Sequence, residues 1–233
     1  MEYKLWALLL LIADRGGLRK ARPGTRGFVL DAGAHDGSTA MMLVNAMRHL
    51  RLHVLALEPL MINARAALRR AEKEPDLYVR RLALGDVDGA TGYYPAEYDA
   101  RQSTMHLQIA RWRDNDNAGN VSYPITTIDA LFDEEWDRTL VLAHLDLEGR
   151  EPDALRGGNA VFQRDRPMIT VETYPKSMRP RHEAVMAQLE ALRYDVYTIE
   201  ETVGTIRDGR NSVAIPREDR RLHWIVEQYF ATP

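Results

Sequence analysis

The segment Phe28-Val29-Leu30-Asp31-Ala32-Gly33-Ala34-His35-Asp36-Gly37-Ser38-Thr39 carries the clearest chemical signal in the chain. A short apolar run ends in an acid and turns through two glycines into a helical pattern. Glycine lets ligand atoms approach the backbone without a Cβ in the way. A helix start offers unpaired amides to a carboxylate. The spacing is Gly33-x-x-x-Gly37, not the Gly-x-Gly-x-x-Gly of dinucleotide folds, which argues against a pyrophosphate and an NAD-type cofactor. Asp31 puts a negative charge where a cationic ligand group can sit.

Glu58 is the second piece. It closes the next strand candidate, where a carboxylate can accept both hydroxyls of a ribose. A ligand with a ribose, a carboxylate and a positive centre fits S-adenosylmethionine. The third piece is the string His144-Leu145-Asp146-Leu147-Glu148-Gly149-Arg150-Glu151 at the end of a later strand candidate. Asp146 is a candidate for the amino group of such a cofactor or for a metal. His144 is a candidate proton acceptor, with a core histidine as the alternative. Glu148 reads equally as a helix-start carboxylate. If the strand runs that far, His144, Asp146 and Glu148 share one side of it.

These residues need a scaffold that brings strand ends together, and the chain supplies one. Strand candidates are Gly27–Asp31, His53–Glu58, Leu77–Leu84, Leu140–Leu145, Met168–Glu172, Tyr194–Ile199 and Ser212–Ile215. Helical patterns run over Ser38–Leu50, with Ser38 as a candidate cap, over Met61–Lys73 and over Arg181–Leu192. The alternation implies an α/β fold, a doubly wound, mostly parallel seven-stranded sheet with helices on both faces. The expected layout is an N-terminal helix and linker over residues 1–26, the ligand-binding domain over 27–217, and a packed C-terminal helix over 218–233. Tyr93–Asn120 reads as a long loop or a substrate-facing insertion.

Composition bounds the function. The chain has 233 residues, 45% of them hydrophobic, and a net charge of -3. No basic excess calls for a nucleic-acid partner, because phosphate neutralisation dominates such binding. With no cysteine, thiolate metal sites and cysteine nucleophiles are excluded. The apolar run Leu5–Ala13 is far too short to span a bilayer, which takes about 20 residues. It reads as a helix packed on the domain or against another subunit, rather than as a signal peptide, and a cytoplasmic protein is expected.

The strings VLDAGAHDGSTA, LALEP, LALGDVDG, TTIDAL, LDLEGREPDALRGG, RPMITVE and NSVAIP together resemble FkbM-type methyltransferases. The resemblance runs from about Gly27 to Pro216. It implies a class I, Rossmann-like, S-adenosylmethionine-dependent enzyme, acting mostly on oxygen of small molecules or sugars, as in natural product biosynthesis. On that basis Asp31, Gly33, Ala34, His35 and Gly37 line the methionine part of the cofactor and Glu58 holds the ribose. Ala83, Leu84, Gly85 and Asp86 form the wall near adenine, Asp146 sits near the transferred methyl, and Glu172 stands beside the acceptor. The family usually has lysine where this chain has His144. Candidate bases for a hydroxyl acceptor are His144, Glu172, His182 and, less strongly, His106. Arg101, Arg111 or Arg179 would orient a carboxyl acceptor. A Mg²⁺ site from Asp146, Glu148 and Glu172 lacks a compact ligand motif and is not expected. Competing readings are a methyltransferase of RNA or protein and a non-catalytic module that only binds cofactor or partner.

Overall fold

The computed structural model of the chain describes residues 3–96, 119–133, 137–176, 178–199 and 210–231. Its centre is a seven-stranded sheet. The strands are β1 (Arg26–Ala32), β2 (His53–Leu57), β3 (Leu77–Arg80), β7 (Arg138–Leu145), β8 (Met168–Thr173), β9 (Tyr194–Ile199) and β10 (Arg210–Pro216). Their spatial order is β3-β2-β1-β7-β8-β10-β9. All neighbours pair in parallel except β10, which runs antiparallel to both β8 and β9. The strand order reverses between β1 and β7, and in such sheets ligands bind at the carboxyl ends flanking that point.

Near-continuous apolar runs in β1, β2 and β7 account for their central, doubly covered positions. On one face lie α1 (Tyr3–Asp14), α2 (Ser38–Met47) and the C-terminal helix (Arg220–Ala231), around a core that includes Leu8, Leu43, Val54 and Ile225. The other face packs Leu30, Leu145 and Ile169 against helices at Glu151–Arg156, Asn159–Asp165 and Arg179–Ala191. The N-terminal apolar run is therefore internal: Leu5, Leu8, Leu9 and Ile12 are buried. The two terminal helices are tied together, with the Tyr229 hydroxyl donating to the Lys4 carbonyl at 2.9 Å and Arg221 donating to the Arg15 carbonyl at 2.6 Å. No helix among the described residues is long and apolar enough to cross a membrane.

Several sequence expectations are corrected. The run Leu77–Leu84 is two strands rather than one: β3 ends at Arg80, and Ala83–Leu84 forms β4 in a second, three-stranded sheet. In that sheet β4 and β5 (Thr91–Pro95) flank β6 (Asn120–Thr126). Tyr93–Pro95 and Asn120 thus belong to strands and not to a loop, while 97–118, including Arg101, His106 and Arg111, lies outside the described residues. Ser38 does not cap α2. Gly37 is the cap residue, in the left-handed region, and the Asp36 carboxylate accepts the Ser38 amide at 3.0 Å.

Candidate functional site

The glycine loop is a compact turn clamped to both neighbouring strands. The amides of Gly33 and Ala34 both donate to the Leu57 carbonyl at 3.0 Å, which fixes the loop to the end of β2. Gly33 has φ +91°, and a Cβ there would overlap the Asp146 carbonyl oxygen. Only glycine fits that position. Gly37 (φ +80°) sits against Ala67 of α3 (Met61–Ala71), where a Cβ would come within 3.0 Å of the Ala67 backbone. Arg70 pairs with Asp36 at 2.6 Å and so braces the helix start. Partial burial pushes the Asp36 carboxyl up, but hydrogen bonds from Ser38 and Arg70 outweigh it and hold the group at about 2.

Asp31 is 1% exposed, and neither of its oxygens has a hydrogen-bond partner among the described residues. Burial, reinforced by the charge of Glu58, pushes its carboxyl up to about 7. A buried carboxyl with no partner is costly and asks for a cationic or hydrogen-donating neighbour. Glu58, at the exit of β2, is 5% exposed. Its two oxygens accept the His35 amide at 2.9 Å and the Leu60 amide at 2.8 Å, stitching the glycine loop to the loop after β2. A carboxylate oxygen can accept from hydroxyls as well as from amides.

The proposed adenine wall lies in the second sheet. Ala83 and Leu84 pair with Ile125 and Thr126, and the Gly85 amide donates to the Thr126 carbonyl at 2.9 Å. The Asp86 carboxylate is engaged by Arg156 at 2.9 Å, which keeps it below the usual carboxylate range.

The acidic end of the crevice is built from the exits of β7 and β8. The Asp146 amide donates to the Ala32 carbonyl at 3.0 Å, so Asp146 is carried by the end of β1 as well as of β7. The chain then turns through Glu148 (φ +54°) and Gly149 (φ +95°). Glu172 accepts the Tyr174 hydroxyl at 2.9 Å. Burial pushes the Tyr174 phenol well up, and the charges of Glu172, Glu148 and Asp146 add to the shift. Tyr174 therefore stands within electrostatic reach of all three carboxylates. Sequence reading missed it, although a tyrosine two residues beyond Glu172 leaves the sheet on the same side of the strand.

His144 lies elsewhere. The expected alternation through Glu148 fails because β7 ends at Leu145. A one-residue bulge also shifts the strand: Phe28 lies opposite Leu140 but Val29 lies opposite Leu142, leaving Val141 as the extra residue. His144 is 4% exposed, its Nδ1 is 2.8 Å from the Thr170 hydroxyl, and its ring packs on Trp6 of α1. Burial pushes it down to about 4. This is a satisfied core histidine, and the proton-acceptor role is not carried forward. His182 is in the first turn of the Arg179–Ala191 helix, half-buried, with Nδ1 unpartnered among the described residues. Arg179 is paired with Glu183 at 2.8 Å. Among the described residues no group of three or more His, Cys, Asp or Glu side chains is placed to hold a metal ion.

Over residues 31–196 the sequence matches the methyltransferase FkbM domain. The chain belongs to the FkbM methyltransferase family. The match spans from Asp31 to Val196 and takes in every crevice residue from Asp31 to Tyr174, leaving out Trp6 and the C-terminal helix. The methyltransferase FkbM of Methylobacillus flagellatus KT shares the fold at a TM-score of 0.56 and 16% identity, over 88% of this chain and 47% of that one. This FkbM-family chain thus spans about half the length of that protein. Two other methyltransferases are less similar. One is the O-methyltransferase from Bacillus cereus, at TM-score 0.48 and 15% identity, over 92% of this chain and 81% of that one. The other is the magnesium protoporphyrin IX methyltransferase from Synechocystis PCC 6803, at 0.49 and 12%, over 92% and 78%. No curated protein matches the chain.

Proposed function

We propose that this FkbM-family domain transfers the methyl group of S-adenosylmethionine to a hydroxyl of a small molecule. The observation that carries the reading is the buried Asp31 carboxyl at the switch point, without a hydrogen-bond partner among the described residues, beside a glycine loop with no room for side chains at Gly33 and Gly37. Those residues fit the cofactor. Asp31 answers an ammonium group, the loop around Gly33 to Gly37 accommodates the methionine part, and the Glu58 carboxylate at the exit of β2 answers the ribose hydroxyls. When bound, the cofactor supplies an already activated methyl group on a sulfonium.

The residues of the chain then have to orient, desolvate and move one proton. Alignment of reacting groups is worth roughly 7–11 kcal/mol in model systems. Asp146, fixed to the end of β1, faces the donor from the β7 side. Glu172 is the candidate to take the hydroxyl proton, and the Tyr174 hydroxyl, donating at 2.9 Å, orients it. A positioned base adds on the order of 10²–10⁴-fold. Asp146, Glu148 and Glu172 give this end a negative field, which disfavours a carboxylate acceptor and favours a neutral hydroxyl. The net charge of -3 likewise speaks against RNA as the acceptor.

Titration calorimetry with S-adenosylhomocysteine, and in parallel with NAD, tests the cofactor. Micromolar binding of the first alone is expected. Activity on a panel of hydroxylated compounds, with carboxylic acids as the counter-panel, tests the acceptor. Methylation of the acids only would overturn the hydroxyl assignment.

A further inference from the structure

The turn after β7 is shaped by one side chain to which the reading above gives no part. Glu151 is 3% exposed. A single oxygen, Oε1, accepts the amide of Leu147 at 2.9 Å and that of Gly149 at 3.0 Å. Between those two amides sits Glu148, a non-glycine residue with φ +54°. Such a conformation costs on the order of 1 kcal/mol or more and persists only where its surroundings impose it. Gly149 follows at φ +95°, with the Arg181 guanidinium lying where its Cβ would be. At its other end the turn is anchored by the Asp146 amide on Ala32. Asp146 and Glu148 are thus held between a strand end and the Glu151 carboxyl. Burial lifts that carboxyl to about 7 against the pull of the backbone amides, and nearby Glu172 lifts it further.

We propose that Glu151 is a positioning residue that fixes Asp146 and Glu148 at the methyl-donor end of the crevice, and so supports the cationic sulfonium selectively over the neutral thioether. The proposal rests on the reading of the crevice as an S-adenosylmethionine site. Its physical basis is that a carboxylate within about 4–6 Å of a cation favours it strongly, and that this benefit is lost when the carboxylate is no longer held there. A thioether of the same shape gains nothing from those charges. Disordering the turn therefore weakens the two ligands unequally.

The test is calorimetry with S-adenosylmethionine and S-adenosylhomocysteine on wild type, Glu151→Gln, Glu151→Asp and Glu151→Ala, each checked by thermal melting. Glutamine keeps an oxygen for both amides, and should leave the ratio of the two dissociation constants within twofold of wild type. Alanine, and aspartate with its shorter reach, should weaken S-adenosylmethionine at least fivefold more than S-adenosylhomocysteine. If alanine does not fold, the aspartate variant decides. Equal weakening of both ligands alongside a lowered melting point would reduce Glu151 to a structural role and overturn the proposal. So would unchanged affinities in the aspartate and alanine variants. Failure of the wild type to bind either ligand would instead remove the cofactor reading itself, and the proposal with it.

Discussion

The backbone of Asp146 occupies the space beside Gly33. Its amide donates to the Ala32 carbonyl at 3.0 Å, and its carbonyl oxygen fills the volume a side chain on Gly33 would need. The two loops that carry the candidate chemistry are therefore one packed unit. Gly33→Ala should fold poorly, losing on the order of 3 kcal/mol or more, because the new methyl meets backbone and the φ of +91° is strained. Chemical denaturation of the variant checks this. A loss under about 1 kcal/mol would mean that the two loops are not locked together.

Cofactor binding should release a proton near neutrality. The unliganded Asp31 carboxyl is held up at about 7 by burial and by Glu58. An ammonium group placed against it would pull it down, so at pH 6 most of one proton should leave. The binding enthalpy of S-adenosylhomocysteine should then vary with the ionisation enthalpy of the buffer. Asp31→Asn should abolish that variation and weaken binding. Buffer-independent enthalpy in the wild type would count against Asp31 as the amino-group partner.

Glu58 serves two masters, and substitutions should separate them. Glu58→Gln loses the charge-assisted hydrogen bonds to a ribose, worth about 1.5–3 kcal/mol, and should weaken S-adenosylhomocysteine roughly 10- to 100-fold. Glu58→Ala also leaves the His35 and Leu60 amides without their present acceptor. It should therefore lower the melting temperature as well as the affinity. Full affinity in the glutamine variant would remove the ribose assignment and leave the loop-stitching role.

Stability of the unliganded protein should fall as pH rises toward neutrality. Asp31 and Glu151 go from ordinary values of 3.8 and 4.5 to about 7 in the fold. A raised carboxyl contributes stability that is fully present below its unfolded value and is lost as pH rises through the folded one. Glu151→Gln and Asp31→Asn should each flatten the curve between about pH 4 and 7. His144 acts oppositely: lowered from 6.5 to about 4 by burial, it contributes stability that is present above pH 6.5 and lost as pH falls through 4. His144→Leu should lessen the loss on the acid side. Melting temperatures across pH measure all three.

The central strands β1, β2 and β7 were legible because they carry near-continuous apolar runs. Asp31 after Phe28-Val29-Leu30 and Glu58 after Val54-Leu55-Ala56-Leu57 mark two strand exits without any three-dimensional information. The residues read wrongly depend on events that local pattern does not encode. His144 lies inside β7, which ends at Leu145 with both faces covered, and the bulge at Val141 sets which core it meets, which no alternation count reveals. β3 and β4 read as one strand because apolar residues flank Arg80-Arg81 on both sides, although the chain leaves one sheet for another at that pair. Glu151 looked like one acid among several. Its significance is that it reaches back to two amides, which only the folded turn brings within range.

The position of β10 has a consequence for synthesis of the chain. β10 lies between β8 and β9, yet it is made after both. As the polypeptide emerges from the ribosome, β9 has no sheet partner, and β8 presents an open edge of unpaired amides and carbonyls. Both wait for residues 210–216. The strand exit that carries Glu172 can therefore be completed only once those residues have emerged. Until then the nascent chain exposes a hydrophobic edge of the kind that chaperones shield and that self-associates at high concentration.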